Sequence, residues 1–129
     1  MVFLFDGRKS GNPMLKKTVL RKKGDFSLIY NKGKSLGERY VVLFLIKNKL
    51  PYNRTAFLAS KKVGKSVVRN RARRLMKESY RELKENQKIG YDLIFIARKT
   101  ICDLKCGDVK KSMEAAMKKA GVFKKENRE

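Results

Sequence analysis

Between Lys61 and Lys77 the chain carries eight basic side chains and no acidic one. Arginine dominates the second half of this run. A guanidinium fork can bind phosphate through two parallel hydrogen bonds and can stack on a base, whereas an ammonium acts more as a point charge. The chemistry open to Lys61, Lys62, Lys65, Arg69, Asn70, Arg71, Arg73, Arg74 and Lys77 is therefore the holding of a polyanion. A face built only for solubility would pair Glu with Lys at i, i+4. Here no acid before Glu78 neutralises the run, so its self-repulsion needs an external counter-charge. Gly64-Lys65-Ser66 ends like a nucleotide-cradling loop, but that loop needs a glycine five positions before Gly64, where Ala59 stands. With no His, no recognisable nucleophile and base, and no evident acidic cluster, an independent protein nuclease is not expected.

These side chains need a rigid carrier, and a helix over about Ser66 to Leu83 sorts them. Val68, Ala72, Leu75, Met76, Ser79, Tyr80 and Leu83 fall on an inner side. Asn70, Arg74, Lys77 and Arg81 project opposite, flanked by Arg69, Arg71 and Arg73. Upstream, Asp25 to Gly33 predicts a short helix, with Asp25 as N-cap, Phe26, Ile29 and Tyr30 at i, i+3, i+4, and Gly33 as its stop. Arg39 to Lys47 alternates Tyr40, Val42, Phe44 and Ile46 with Val41, Leu43 and Leu45, so this strand is apolar on both faces and should be central or covered on both sides. The short connection from Asn48 to Asn53, containing Pro51, predicts a hairpin to a strand over Arg54 to Ser60. A further strand covers Tyr91 to Ala97 after the Gly90 break, and a last helix places Val109, Met113, Ala116, Met117 and Ala120 on one face. The order reads αβββ or αββ, then αβα. The expected architecture is one α+β sandwich of αβββαβα order, a single sheet covered by helices.

The chain has 129 residues, enough for one domain with a modest core, and its 42% hydrophobic content excludes a disordered tail despite 36% charged residues. With 34 Lys and Arg against 12 Asp and Glu, the net charge is +22, which favours a polyanionic partner. The excess is lopsided: residues 1–77 hold 21 basic and 3 acidic side chains, whereas residues 78–129 hold 13 and 9. No stretch reaches the roughly 18 apolar residues of a spanning helix, and Met1 to Phe5 is too short for a signal peptide, so a cytoplasmic protein with no membrane partner is expected. Cys102 and Cys106 form a lone C-x-x-x-C without the further ligands of a zinc site. Residues 1–13 read as a flexible extension, residues 14–123 as the domain and residues 124–129 as a charged tail. Met14 opens the basic stretch and is a second candidate for the biological start.

The run around Arg69-Asn70-Arg71 resembles the signature of the bacterial ribonuclease P protein family. Other landmarks follow in order: the basic start Lys16, Lys17, Arg21 and Lys22, the Asp25-Phe26 helix with Tyr30, the strand with Phe44, the Lys61-Lys62 lead-in, and Ile94-Phe95-Ile96-Ala97-Arg98. The likeness covers residues 14–123. Arg73 stands where the family often has Lys, Tyr30 where it often has Phe, and the extension before Met14 is outside the common pattern. The resemblance implies a ribosomal protein S5 domain 2-like fold with a left-handed βαβ crossover. It also implies a subunit of an endoribonuclease whose catalyst is RNA, with Mg2+ held mainly by that RNA. The implied partners are the ribonuclease P RNA, in a 1:1 complex with a protein monomer, and the single-stranded 5′ leader of precursor tRNA. Single-strand binding needs aromatic platforms beside positive walls. By the resemblance, Phe26, Tyr30 and Phe44 would supply the platforms in a groove between the first helix and the sheet, near Lys62, Arg69 and Arg73. That these aromatics are ordinary core stays an open alternative, as does a ribosomal or other structural RNA-binding protein.

Overall fold

Local preference and long-range pairing both contribute to the architecture, and they are separable. In the computed structural model, which describes residues 18–101 and 106–124, the chain runs α1 (Lys23–Lys32), β1 (Lys34–Gly37), β2 (Val41–Lys47), β3 (Arg54–Leu58), α2 (Ser66–Leu83), β4 (Tyr91–Ala97) and α3 (Cys106–Ala120). The αβββαβα order is the expected one. The extension of residues 1–13, the second candidate start Met14, the basic Lys16 and Lys17, residues 125–129 of the tail, and the side chains of the cysteine pair lie outside the described residues.

The pairing differs from the expected hairpin. The four strands lie in the order β1-β2-β4-β3, so β2 and β3 are not neighbours. β4 sits between them, antiparallel to β2 with Leu43 opposite Phe95, and parallel to β3 with Phe57 opposite Phe95. The physical reason lies in burial. β4 has an unbroken buried run from Asp92 to Phe95, whereas β3 opens with the partly exposed Arg54 and Thr55. A strand buried on both faces is best satisfied in the middle of a sheet, and the parallel β3–β4 pair then needs a crossover, which α2 supplies. β1 is a short, largely exposed edge strand of sequence Lys-Ser-Leu-Gly, with no alternation to announce it. On the far edge, Leu20 donates its N–H to the Thr55 carbonyl at 2.9 Å, and Thr55 donates to that of Thr18 at 2.8 Å, so a piece of extended chain covers β3.

Alternate residues of each strand point to opposite faces, and the two faces are finished differently. On one, Val41, Leu43, Leu45, Leu93 and Phe95 pack with Ala72, Met76 and Tyr80 of α2 and with Val109, Met113, Ala116 and Met117 of α3. Phe57 and Phe95 stack with ring centres 5.6 Å apart, and Tyr80 tilts against both. On the other face a smaller cluster of Leu20, Ile29, Ala56, Leu58 and Ile94 is covered by α1, with Phe26, Phe44, Ile46 and Ile96 only partly buried. α1 ends at Gly33 because its backbone passes against β2. A Cβ there would lie 2.4 Å from the Leu45 carbonyl oxygen, so close approach rather than a left-handed turn demands glycine.

Candidate RNA interface

β3 leaves the sheet at Leu58, and the chain turns through Ser60 to Lys65 into α2. Val63 donates to the Ser60 carbonyl at 3.0 Å, and Gly64 to that of Lys61 at 3.2 Å. Gly64 has φ +150, and a Cβ on it would press on Val68 at 3.0 Å, so glycine lets this turn sit directly against the helix. Val68, Ala72, Leu75, Met76, Ser79, Tyr80 and Leu83 face inward, as the helical period required, while Asn70, Arg71, Arg74, Lys77 and Arg81 are exposed.

Arg69, expected to flank the outward side of the helix, is held against the helix start. Its Nε donates to the Gly64 carbonyl at 3.1 Å and its Nη2 approaches Ser66 Oγ at 3.3 Å, so its fork is turned back over the first turn of α2. This carbonyl precedes the N-cap Lys65, outside the ladder of the helix, and the guanidinium five residues on supplies a donor to it. Arg73 is also half-buried and donates to the Asn70 side-chain carbonyl. Desolvation first, and the positive charge of Arg69 second, push its pKa below the ordinary arginine value. Among the described residues, none of Lys61, Lys62, Lys65, Arg69, Arg73, Arg74 and Lys77 forms an ion pair with an acid, whereas Arg81 pairs with Glu78. Two guanidiniums held close without a carboxylate make a place where an anion lowers the energy.

The candidate aromatics gather on the opposite face of the sheet. Tyr30 meets Phe44 edge-on with ring centres 5.0 Å apart, and Phe26 lies 6.3 Å from Tyr30. Phe26 and Phe44 rest against the smaller core, but Tyr30 is 41% exposed. Partial burial pushes its phenol above the ordinary value. The structure therefore brings the three aromatics together and keeps them apart from the basic helix, which packs on the other side of the sheet. The segment Ser60 to Lys65 joins β3, at the far edge of the sheet from β1, to the basic helix.

Sequence reasoning missed the polar node that ties α1 to this face. Arg54 Nε and Nη2 donate to the two Asp92 carboxylate oxygens at 2.8 and 2.6 Å, while Nη1 reaches Asp25 Oδ2 at 3.4 Å. Asn48 Nδ2 adds a third donor to Asp92 at 2.7 Å. The hydrogen bond to Asp92 is the chief reason that the Arg54 pKa lies above its ordinary value. Asp25 is accordingly not the N-cap: Lys22 occupies that position, and Asp25 sits in the first turn with its carboxylate turned to β3. The available signal was an Asp in an apolar strand, but only the parallel register placing Arg54 opposite Asp92 identifies its partner. Because Asp25 and Asp92 are engaged by Arg54, this node is no open carboxylate set for Mg2+. No cluster of three or more His, Cys, Asp or Glu suited to a metal occurs among the described residues. No described helix is long and apolar enough to cross a membrane.

A family model described as Ribonuclease P matches residues 14–121. The chain belongs to the ribonuclease P protein family. The ribonuclease P protein component of Clostridium botulinum strain Langeland is 46% identical over 110 residues, covering 84% of this chain and 99% of the relative. That of Caldanaerobacter subterraneus subsp. tengcongensis is 40% identical over 113 residues, 88% of this chain and 97% of the relative. The fold agrees with the Staphylococcus aureus ribonuclease P protein, with TM-score 0.76, 33% identity, and coverage of 84% of this chain and 99% of that one. It also agrees with the Thermotoga maritima protein, with TM-score 0.71, 31% identity, and coverage of 78% and 94%. The chain is thus the protein subunit of an endoribonuclease holoenzyme acting in tRNA processing, with ribonuclease P RNA and precursor tRNA as its partners, rather than a ribosomal protein. The family implies an RNA enzyme that depends on Mg2+.

Proposed function

We propose that the two regions of this ribonuclease P subunit divide the RNA between them. The exposed basic face of α2 and the turn before it hold the phosphates of the ribonuclease P RNA, through Lys61, Lys62, Lys65, Asn70, Arg71, Arg74 and Lys77. Arg69 and Arg73, close enough for the charge of one to be felt by the other, supply a cationic pair in the first half of that helix. Phe26, Tyr30 and Phe44 receive the single-stranded 5′ leader of precursor tRNA. The observation that carries this reading is the exposed Tyr30 ring, held edge-on by Phe44 where the sheet is only partly covered. Each stacked base is worth about 1–3 kcal/mol and does not depend on sequence, which suits a substrate whose leader varies. Residues 14–123 form the working domain, one copy joins one RNA in the cytoplasm, and the Mg2+ ions of the reaction are held mainly by RNA.

The test is reconstitution. Mixed with a bacterial ribonuclease P RNA at low Mg2+, the protein should restore 5′ maturation of precursor tRNA, and it should bind leader-bearing substrate more tightly than substrate trimmed to the mature end. Protein alone should not cleave. Equal affinity for the two substrates would remove the leader from the account while leaving the docking of the RNA subunit in place.

A further inference from the structure

We infer that Asp25 is a positioning residue for substrate, acting through Arg54 to set where α1 lies over the sheet and so the opening in which the leader is received. This inference rests on the assignment of the leader to the aromatic face. The node gathers one side chain from each of four places: Asp25 from α1, Asn48 from the connection after β2, Arg54 from β3 and Asp92 from β4. Its two links have different strengths. Arg54 grips Asp92 through two short bonds, and the Asp92 side chain is 5% exposed, so this half is part of the folded sheet. The link to Asp25 is a single contact at 3.4 Å between side chains that are 23% and 27% exposed, so it can be broken without unpairing Arg54. Asp25 immediately precedes Phe26, and Ile29 and Tyr30 follow on the same helix, so freeing that first turn loosens the wall bearing two of the three aromatics.

The sign of the effect separates this role from plain electrostatics. Asp25 is one of few acids in a strongly basic half of the chain, and a carboxylate near an RNA strand repels it. If charge alone mattered, Asp25→Asn and Asp25→Ala should bind leader-bearing substrate more tightly. Positioning demands the reverse.

The experiment uses holoenzyme reconstituted with wild type, Asp25→Asn, Asp25→Ala or Asp25→Glu. It measures dissociation constants for precursor tRNA with a full leader and with none, together with affinity for the RNA subunit alone. Asp25→Ala should lose roughly two- to fivefold of the leader-dependent gain, the range expected for one partly exposed ion pair. Leaderless tRNA and the RNA subunit should bind as before, and Asp25→Glu should recover part of the loss. A gain in leader affinity, or no change, in both neutral variants would overturn the inference. An equal loss for every RNA would overturn it too, by showing a general effect on the fold. If wild type itself has no leader preference, the aromatic assignment fails first, and that outcome is visible before any variant is compared.

Discussion

The two faces of the sheet are built from the same strands and reach opposite ends. The face under α2 and α3 is closed: Leu43, Leu93, Phe95, Met113 and Met117 are fully buried, and the aromatic rings there contact one another. The face under α1 is left half-finished, with Phe26, Phe44, Ile46 and Ile96 partly exposed and Tyr30 more so. One helix cannot cover a four-stranded sheet that needs two on its other side. Apolar area left in water is a cost that a stacked base can relieve, so the closed face supplies stability and the open face supplies a surface.

The largest effect expected from this contrast is on the closed face. Phe95→Ala should destabilise the fold by about 3–5 kcal/mol in urea unfolding, because the ring is fully buried, with Phe57 stacked on it and Tyr80 tilted against it. A smaller cost would mean that this face is less tightly packed than its geometry indicates. The next effect is pH-dependent. Burial pushes the Tyr80 hydroxyl up to about 12, while an unfolded tyrosine titrates near 10. Below about pH 10 both states keep the proton. Between about 10 and 12 the unfolded chain releases it and the folded chain does not, so stability should fall by roughly 2–3 kcal/mol across that window. Lysines lose charge in the same range, so the informative quantity is the difference in urea unfolding between wild type and Tyr80→Phe. Equal pH profiles would contradict the expectation.

On the open face, Tyr30→Ala should weaken binding of leader-bearing substrate by about 1–3 kcal/mol with little change in unfolding free energy, and leave the salt dependence alone. Arg74→Ala should have the smallest effect in free energy but a distinct signature. The slope of log K against log salt for the RNA subunit should shrink by about 0.7–0.9, the share of one phosphate contact. If Tyr30→Ala changed the slope and Arg74→Ala did not, the division between stacking and phosphate binding would be the wrong way round.

Much of the candidate site was legible because its determinants are local. The apolar period from Val68 to Leu83 required one face of α2 to be buried, which leaves Arg74 and Lys77 in water. Arg69 shows where that reasoning stops. Its position on the helix was legible, but its fork turns back to the Gly64 carbonyl because of a turn geometry that helical spacing does not encode. β1 was expected only as an optional extra strand with no residues assigned to it, because Lys34, Ser35 and Gly37 are exposed and follow no two-residue period.

The amino-acid sequence by itself determined the element order, the two-sided character of α2, the positive field and the family, since each depends on residue type and short-range spacing. Only the tertiary structure decided that β4 separates β2 from β3, that Asp25 answers Arg54 instead of capping its own helix, and that the aromatics and the basic helix lie on opposite faces. Strand partners are chosen by burial summed over the whole sheet, and an ion pair between residues 29 positions apart exists only once that choice has been made.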